Sequence, residues 1–172
     1  MTGHMRAIFA LTCLLATPLA AQTDLRDADA ARLTGFTTAA GDALLQAMAG
    51  GTPADVAALS KALSGTPQIA FDPSLTGDWK CRTMKLGGIS ALVVYTNFQC
   101  RFTPSATGFT FEKLSGSQRT RGTITLRDGR AVYVGVVYVA GEDPPAYADL
   151  PPDFQSDGRV QTDVAVFERI SA

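Results

Sequence analysis

Histidine is almost missing from this chain: His4 is the single one in 172 residues. It falls in the N-terminal run MTGHMRAIFALTCLLATPLAAQ. That run has a basic residue, an apolar stretch and small residues before a polar change, the pattern of a secretory signal peptide. Cleavage is expected after Ala21, so residues 1–21 form the leader and the mature chain keeps no histidine. Ser-His-Asp and Cys-His catalysis are then excluded, and so is any metal site with a His ligand. A Gly-rich phosphate loop, a Gly-x-Ser-x-Gly elbow and a cysteine cluster are also missing. No catalytic residue, metal ligand or cofactor is therefore assigned. No apolar run reaches the roughly 20 residues of a membrane-spanning helix, and the leader's own core, residues 7–17, is too short. Cys13 lacks the small preceding residue of a lipid-modified cysteine, so no lipid anchor is expected. Excess charge is lacking too. The leader removes Arg6 and leaves 14 basic against 16 acidic residues, without the clustered basic excess that nucleic acid requires.

What is present concentrates in residues 75–102, LTGDWKCRTMKLGGISALVVYTNFQCRF. The one tryptophan, Trp79, and the two cysteines beyond the leader, Cys81 and Cys100, all lie there. We read a disulfide-stapled β-hairpin. Period-two alternation puts Trp79, Cys81 and Thr83 on one face, and Leu92, Val94, Phe98, Cys100 and Phe102 on a matching face. Placing Cys81 opposite Cys100 sets Trp79 opposite Phe102 and Thr83 opposite Phe98, with Trp79 buried. Gly87-Gly88 supply positive φ near the turn. Closing a loop of roughly 20 residues contributes about 3 kcal/mol. Redox-active pairs use closer Cys-x-x-Cys spacing, so the bridge reads as structural.

Residues 22–66 read as helices. Apolar residues recur at three to four from Leu25 to Met48, with Gly35 and Gly41 as points of weakness. A second helix starts at a Thr52 N-cap with Pro53 at N1 and stops before Gly65. Residues 67–172 read as strands forming one structural unit with the helices. Asp128-Gly129 between two strand-like runs signals a hairpin over residues 118–140. It pairs Arg119 with Tyr138, Arg121 with Val136 and Gly122 with Gly135. The run AVYVGVVYV is apolar on both faces and is expected to be central. Residues 141–158, acidic with two Pro-Pro pairs, read as an extended surface loop. A last strand lies in VQTDVAVFERI.

The strings LTGDWKCRTMK, VYTNFQCRF, FEKLSGSQRTRGTITL, VYVG and PPAY resemble the bacterial secreted family known as domain of unknown function 4893. The resemblance runs over residues 75–147. Gly-x-Trp-x-Cys-Arg and Leu-Ser-Gly-Ser-Gln-Arg are its specific parts. It implies a secreted or periplasmic domain and brings no activity. A Gly-x-Trp on a first strand also resembles the opening of lipocalin, avidin and metalloprotease-inhibitor barrels. By that analogy Arg169 packs across Trp79 in a cation–π contact.

The expected fold is thus α+β: N-terminal helices on an antiparallel β-barrel or strongly curved sheet, lipocalin- or avidin-like, with one disulfide. Ser117, Gln118, Arg119 and Arg121, with Ser115 beside them and Tyr138 across the strand pair, form the candidate ligand site, because paired guanidiniums hold carboxylate or phosphate. Arg82 and Arg101 form a second basic pair on the far face from Trp79. Glu112 and Glu168 are read as the strand acids. The expectation is an exported, non-catalytic binding module for a small anionic or amphipathic ligand or an envelope component. The alternative is an inhibitor or protein partner of a secreted hydrolase, inserting its N-terminal segment or residues 141–158.

Overall fold

A computed structural model describes residues 23–171. The expected leader, residues 1–21, and with it His4 and Cys13, lies outside the described residues. Three helices precede the sheet: α1 (Asp27–Thr34), α2 (Phe36–Gly50) and α3 (Pro53–Leu63). The expected long first helix breaks at Gly35 and not at Gly41. The Gly35 N–H donates to Ala31 O at 2.9 Å, closing α1, and its carbonyl accepts from Ala39 N at 3.1 Å, opening α2. Thr52 caps α3 reciprocally: Asp55 N donates to Thr52 Oγ1 at 3.2 Å, and the hydroxyl donates to Asp55 Oδ2 at 2.9 Å. One of the unpaired N–H groups at the helix start is thereby satisfied, and the Asp55 carboxylate orients the hydroxyl. Among the described residues no helix is long and apolar enough to cross a membrane.

Six antiparallel strands follow in chain order: β1 (Gly77–Leu86), β2 (Leu92–Ser105), β3 (Gly108–Lys113), β4 (Gln118–Arg127), β5 (Arg130–Val139) and β6 (Val160–Val166). The closed barrel is not formed, since β1 and β6 are both edges. Closure requires the first and last strands to pair. Here the chain beyond β6 pairs instead with the segment leading out of α3, through Gln68 N to Arg169 O at 2.8 Å and Ser171 N to Thr66 O at 2.9 Å. The sheet is nevertheless strongly curled. In a flat sheet β2 and β6 would be separated by four strand spacings, roughly 19 Å. The rings of Phe102, on β2, and Phe167, just past β6, have centroids 6.1 Å apart.

The stapled hairpin forms with a register two residues away from the expected one. Trp79 pairs with Cys100, Cys81 with Phe98 and Gly77 with Phe102. The Cys81–Cys100 disulfide is diagonal, with Cα atoms 6.0 Å apart. A two-residue offset preserves which face each side chain occupies, and alternation fixes only the face. A second correction is a bulge. Between Arg82 and Met84 the partner strand advances from Asn97 to Val94, one residue more than β1. The extra residue turns Leu92 and Val94 to the face opposite Phe98, Cys100 and Phe102. There they join Met84 and Leu86 against Ala47 and Leu59 of α2 and α3.

Trp79 is not buried: the indole is 44% exposed. Its Nε1 donates to Leu75 O at 2.7 Å, and its ring meets Phe102 edge-on at 6.4 Å. Arg169 does not pack across it. Its guanidinium donates to Asp72 Oδ2 at 2.7 Å and to Ser74 Oγ at 3.4 Å. A charged carboxylate outcompetes a ring face for an exposed guanidinium.

β5 lies next to the edge strand β6, not at the centre, yet is buried on both faces from Ala131 to Val136. Val132, Val134 and Val136 pack under α1 and under Tyr147 and Leu150. Each contributes about 1.5 kcal/mol or more on burial. Residues 141–158 are thus not a free surface loop. The Arg26 guanidinium clamps them by donating to Tyr147 O at 3.2 Å and Leu150 O at 2.7 Å. Ala131 and Tyr133 point to the other face, into the curl.

Candidate functional site

The structure divides the expected ligand residues between the two faces. Arg119, Arg121 and Tyr138 lie on the helix-covered face, and Gln118, one residue out of phase, lies on the inner one. Arg119 pairs with Tyr138 and Arg121 with Val136, in the expected register. The Arg121 guanidinium is 5.7 Å from the Tyr138 ring centroid. It is already engaged: it ion-pairs with Asp143 at 3.1 Å and donates to the Pro144 carbonyl. Arg119 Nε donates to Gly116 O at 3.4 Å. The Ser117 carbonyl accepts from Ala140 N at 2.8 Å, and Ser115 Oγ accepts from Gln99 N at 2.9 Å. Gln118 Oε1 accepts from Lys85 Nζ at 3.3 Å. Beside Arg121 runs a cleft of about 330 Å³, lined by Thr110, Glu112, Thr123, Val134 and Tyr147. Of the second basic pair, Arg101 donates to Asp78 Oδ1 at 2.6 Å, which holds the Asp78 carboxyl below its usual range. Arg82 donates to Asn97 Oδ1 at 3.3 Å.

A different constellation stands on the inner face. Gly122 of β4 and Gly135 of β5 are paired. A Cβ on Gly122 would fall 2.7 Å from the Tyr133 ring, and one on Gly135 would collide with the Tyr133 hydroxyl. The two missing side chains open a lane along which the Tyr133 ring lies flat. Its hydroxyl thereby reaches Thr120 Oγ1, at 2.5 Å. Asp163 of β6, the register partner of Gly135, brings Oδ2 to 2.8 Å from the same oxygen. Thr120 Oγ1 is also 3.0 Å from Val136 O.

The protons of this cluster can be counted. A threonine hydroxyl has one hydrogen to give and can accept two. The Val136 carbonyl only accepts. If Asp163 were ionised it too would only accept, and one of the two oxygens would be left facing Thr120 without a hydrogen. Thr120 therefore gives its hydrogen to Asp163 Oδ2 or to Val136 O, and accepts from the Tyr133 hydroxyl. Burial pushes the Asp163 carboxyl above its usual range, against the opposing pull of the Thr120 bond. Burial likewise drives the Tyr133 phenol far up, so it stays protonated.

Around this polar floor the inner face is apolar. A cavity of about 240 Å³ is lined by Phe102, Phe111, Ile124, Tyr133, Ala165 and Phe167, with Thr120 and Asp163 at its base. Phe111 meets Phe102 at 4.9 Å and Tyr133 at 6.0 Å between ring centroids. Among the described residues no group of three His, Cys, Asp or Glu side chains is placed to hold a metal ion. The arrangement can hold a small molecule by its apolar body and by hydrogen bonds at one end.

The family described as Domain of unknown function (DUF4893) matches residues 22–172. The chain belongs to this family. No curated protein and no solved structure matches the chain. The family match extends beyond residues 75–147 at both ends, and takes in the helices, β6 and Asp163.

Sequence reasoning missed Asp163 and named Glu112 and Glu168 as the strand acids. Glu168 lies past the end of β6 and is exposed, whereas Asp78 and Asp163 are on strands. A signal was available. Gly122 was paired with Gly135 from the Asp-Gly turn alone, with an aromatic two residues before the second glycine on the same face. Paired strand glycines beside a tyrosine announce a ring lying along the sheet.

Proposed function

We propose that this is an exported, non-catalytic binding module that seats a small amphipathic ligand on the inner face of its curled sheet. The observation that carries this reading is the cavity of about 240 Å³, with aromatic walls and the Thr120–Tyr133–Asp163 cluster at its base. Binding sites are characteristically apolar concavities with a few convergent polar groups. The secretory pattern of residues 1–21 supports periplasmic or extracellular location. The anion reading through Arg119 and Arg121 has less support, because Arg121 is occupied by Asp143 and Pro144. The inhibitor reading has less support as well. Residues 141–158 are clamped by Arg26 and anchored by buried Tyr147 and Leu150, and a loop that inserts into a partner must be free.

Ala165 lines the cavity yet is exposed, so Ala165→Trp fills the cavity without disturbing the core. Thermal unfolding with a panel of alkyl amines, alcohols, fatty acids and inorganic phosphate tests the reading. The expected result is a rise in Tm with amphiphiles that is lost in Ala165→Trp and kept in Arg119→Ala/Arg121→Ala. A shift that survives Ala165→Trp, or one seen only with phosphate, overturns it.

A further inference from the structure

The cavity's chemistry narrows the ligand class, and the narrowing rests on the binding reading above. Asp163 is the only acidic group lining the cavity among the described residues. Its Oδ2 meets Thr120, while Oδ1 receives no hydrogen bond from the described residues. The charged and titratable groups around it are few. Tyr133 on β5 is a neutral phenol. On α1, Asp29 and Arg32 act on it in opposite directions. Arg32 is itself held by Asp29 at 3.0 Å and by Thr162 O at 3.3 Å. No side-chain cation of the chain therefore pairs with Asp163 among the described residues.

The walls complete the pattern. Phe102, Phe111, Phe167 and Tyr133 all line the cavity. Their neighbouring planes are inclined by 47°, 58° and 87°, so ring faces are offered in more than one direction. Aromatic faces attract cations, most strongly where water is excluded. At about 240 Å³ the cavity is smaller than the roughly 300–1,000 Å³ pockets that enclose drug-sized ligands. It suits one head group with any chain extending outward.

We propose that the cavity takes an organic ammonium head group, paired with the Asp163 carboxylate and held against the aromatic walls. Any proton on the raised Asp163 carboxyl leaves for solvent as the monocation enters, so the exchange balances in charge. With Asp163 ionised, Thr120 turns its hydrogen to either the carboxylate or Val136 O. The ammonium's field compensates the bond that is given up.

Isothermal titration calorimetry on the purified chain tests this, in two buffers of unlike ionisation heat. The probes are choline, its uncharged carbon isostere dimethylbutanol and the anion dimethylbutyrate. Choline is expected to bind at least five-fold tighter than the isostere and to release up to one proton per site. Its affinity should rise with pH until Asp163 is fully ionised. Asp163→Asn should bind the isostere as before but lose both the preference for choline and the proton release. Phe111→Leu, which keeps apolar bulk and removes a ring, should weaken choline more than the isostere. Equal binding of choline and isostere by the native chain, or undiminished preference in Asp163→Asn, overturns the ammonium assignment and leaves the binding reading standing. Binding of none of the three probes, together with no Tm shift across the amphiphile panel, overturns both.

Discussion

Two aspartates, one on each side of the sheet, are answered in opposite ways: Asp29 meets a tyrosine hydroxyl directly, and Asp163 meets only the threonine that a tyrosine also bonds. Asp29, on α1, is 1% exposed and fully answered. Its oxygens accept from Arg32 and Thr162, each at 3.0 Å, and from the Tyr147 hydroxyl at 2.8 Å. That hydroxyl accepts in turn from Arg26 N at 3.0 Å. Among the described residues the Asp163 carboxyl has a single hydrogen-bonded neighbour, Thr120, and no guanidinium. The two clusters are fed by adjacent residues of β6, Thr162 toward the helices and Asp163 toward the curl. A buried carboxyl with both oxygens answered locks elements together. A partly buried one, bonded at a single oxygen, keeps its other oxygen open to a cation. The polar cluster on the helix-covered face is therefore the more fully satisfied of the two.

The contrast can be broken or sharpened by substitution. The largest effect is expected from Asp29→Ala, which strands Arg32, Thr162 and Tyr147 together. The cost should be about 4 kcal/mol, read by urea unfolding. A cost below that of Asp163→Ala would reverse the assignment of roles. Next comes Gly135→Ala, whose methyl meets both the Arg121 carbonyl and the Tyr133 hydroxyl, so that β4 and the ring must both give way. About 2 kcal/mol of stability should be lost, with loss of choline binding in the same variant. Intact binding would mean that the lane does not organise the site.

Asp163→Asn comes third and depends on pH. A carboxyl whose folded pKa lies above its unfolded value stabilises the fold fully below the ordinary carboxylate range. That contribution fades as pH rises through the elevated value. The native chain should thus lose ground to Asp163→Asn as pH is raised in a Tm series; parallel curves would contradict the upward shift of the carboxyl. Asp72 supplies the opposite sign and the smallest effect. Its carboxyl accepts from Ser74 N–H and Arg169, which hold its pKa down to about 2. Its contribution is present above the ordinary carboxylate value and disappears as pH falls through about 2. Asp72→Asn should therefore flatten the acid limb of the Tm curve between about pH 4 and 2, and leave the alkaline limb unchanged.

Local features were legible in the residues, and closure was not. Asp128 and Gly129 take φ of 46° and 80°, the paired positive values that the Asp-Gly turn demands. The Thr52 cap and the Gly35 break are equally short-range. The disulfide partners were evident as well, but alternation determines faces rather than pairings, so the register came out two residues away. The bulge at Tyr95-Thr96 leaves no mark on composition. It is imposed by two competing interiors, the helices drawing Leu92 and Val94 one way and the curl drawing Phe98 and Phe102 the other. Whether β1 meets β6 depends on what residues 66–68 do, a contact about 100 residues long. Asp163 escaped notice for the same reason. An acid in an alternating strand reads as solvent-facing until Thr120 and Tyr133, from two other strands, are known to converge on it.

The half-exposed indole has a practical use. Trp79 is the chain's one tryptophan, and its ring rests against Phe102, which also forms part of the cavity wall. A guest that nudges that phenylalanine alters the surroundings of a single fluorophore poised between water and protein. The molecule thus carries its own optical gauge of occupancy, readable without any added dye.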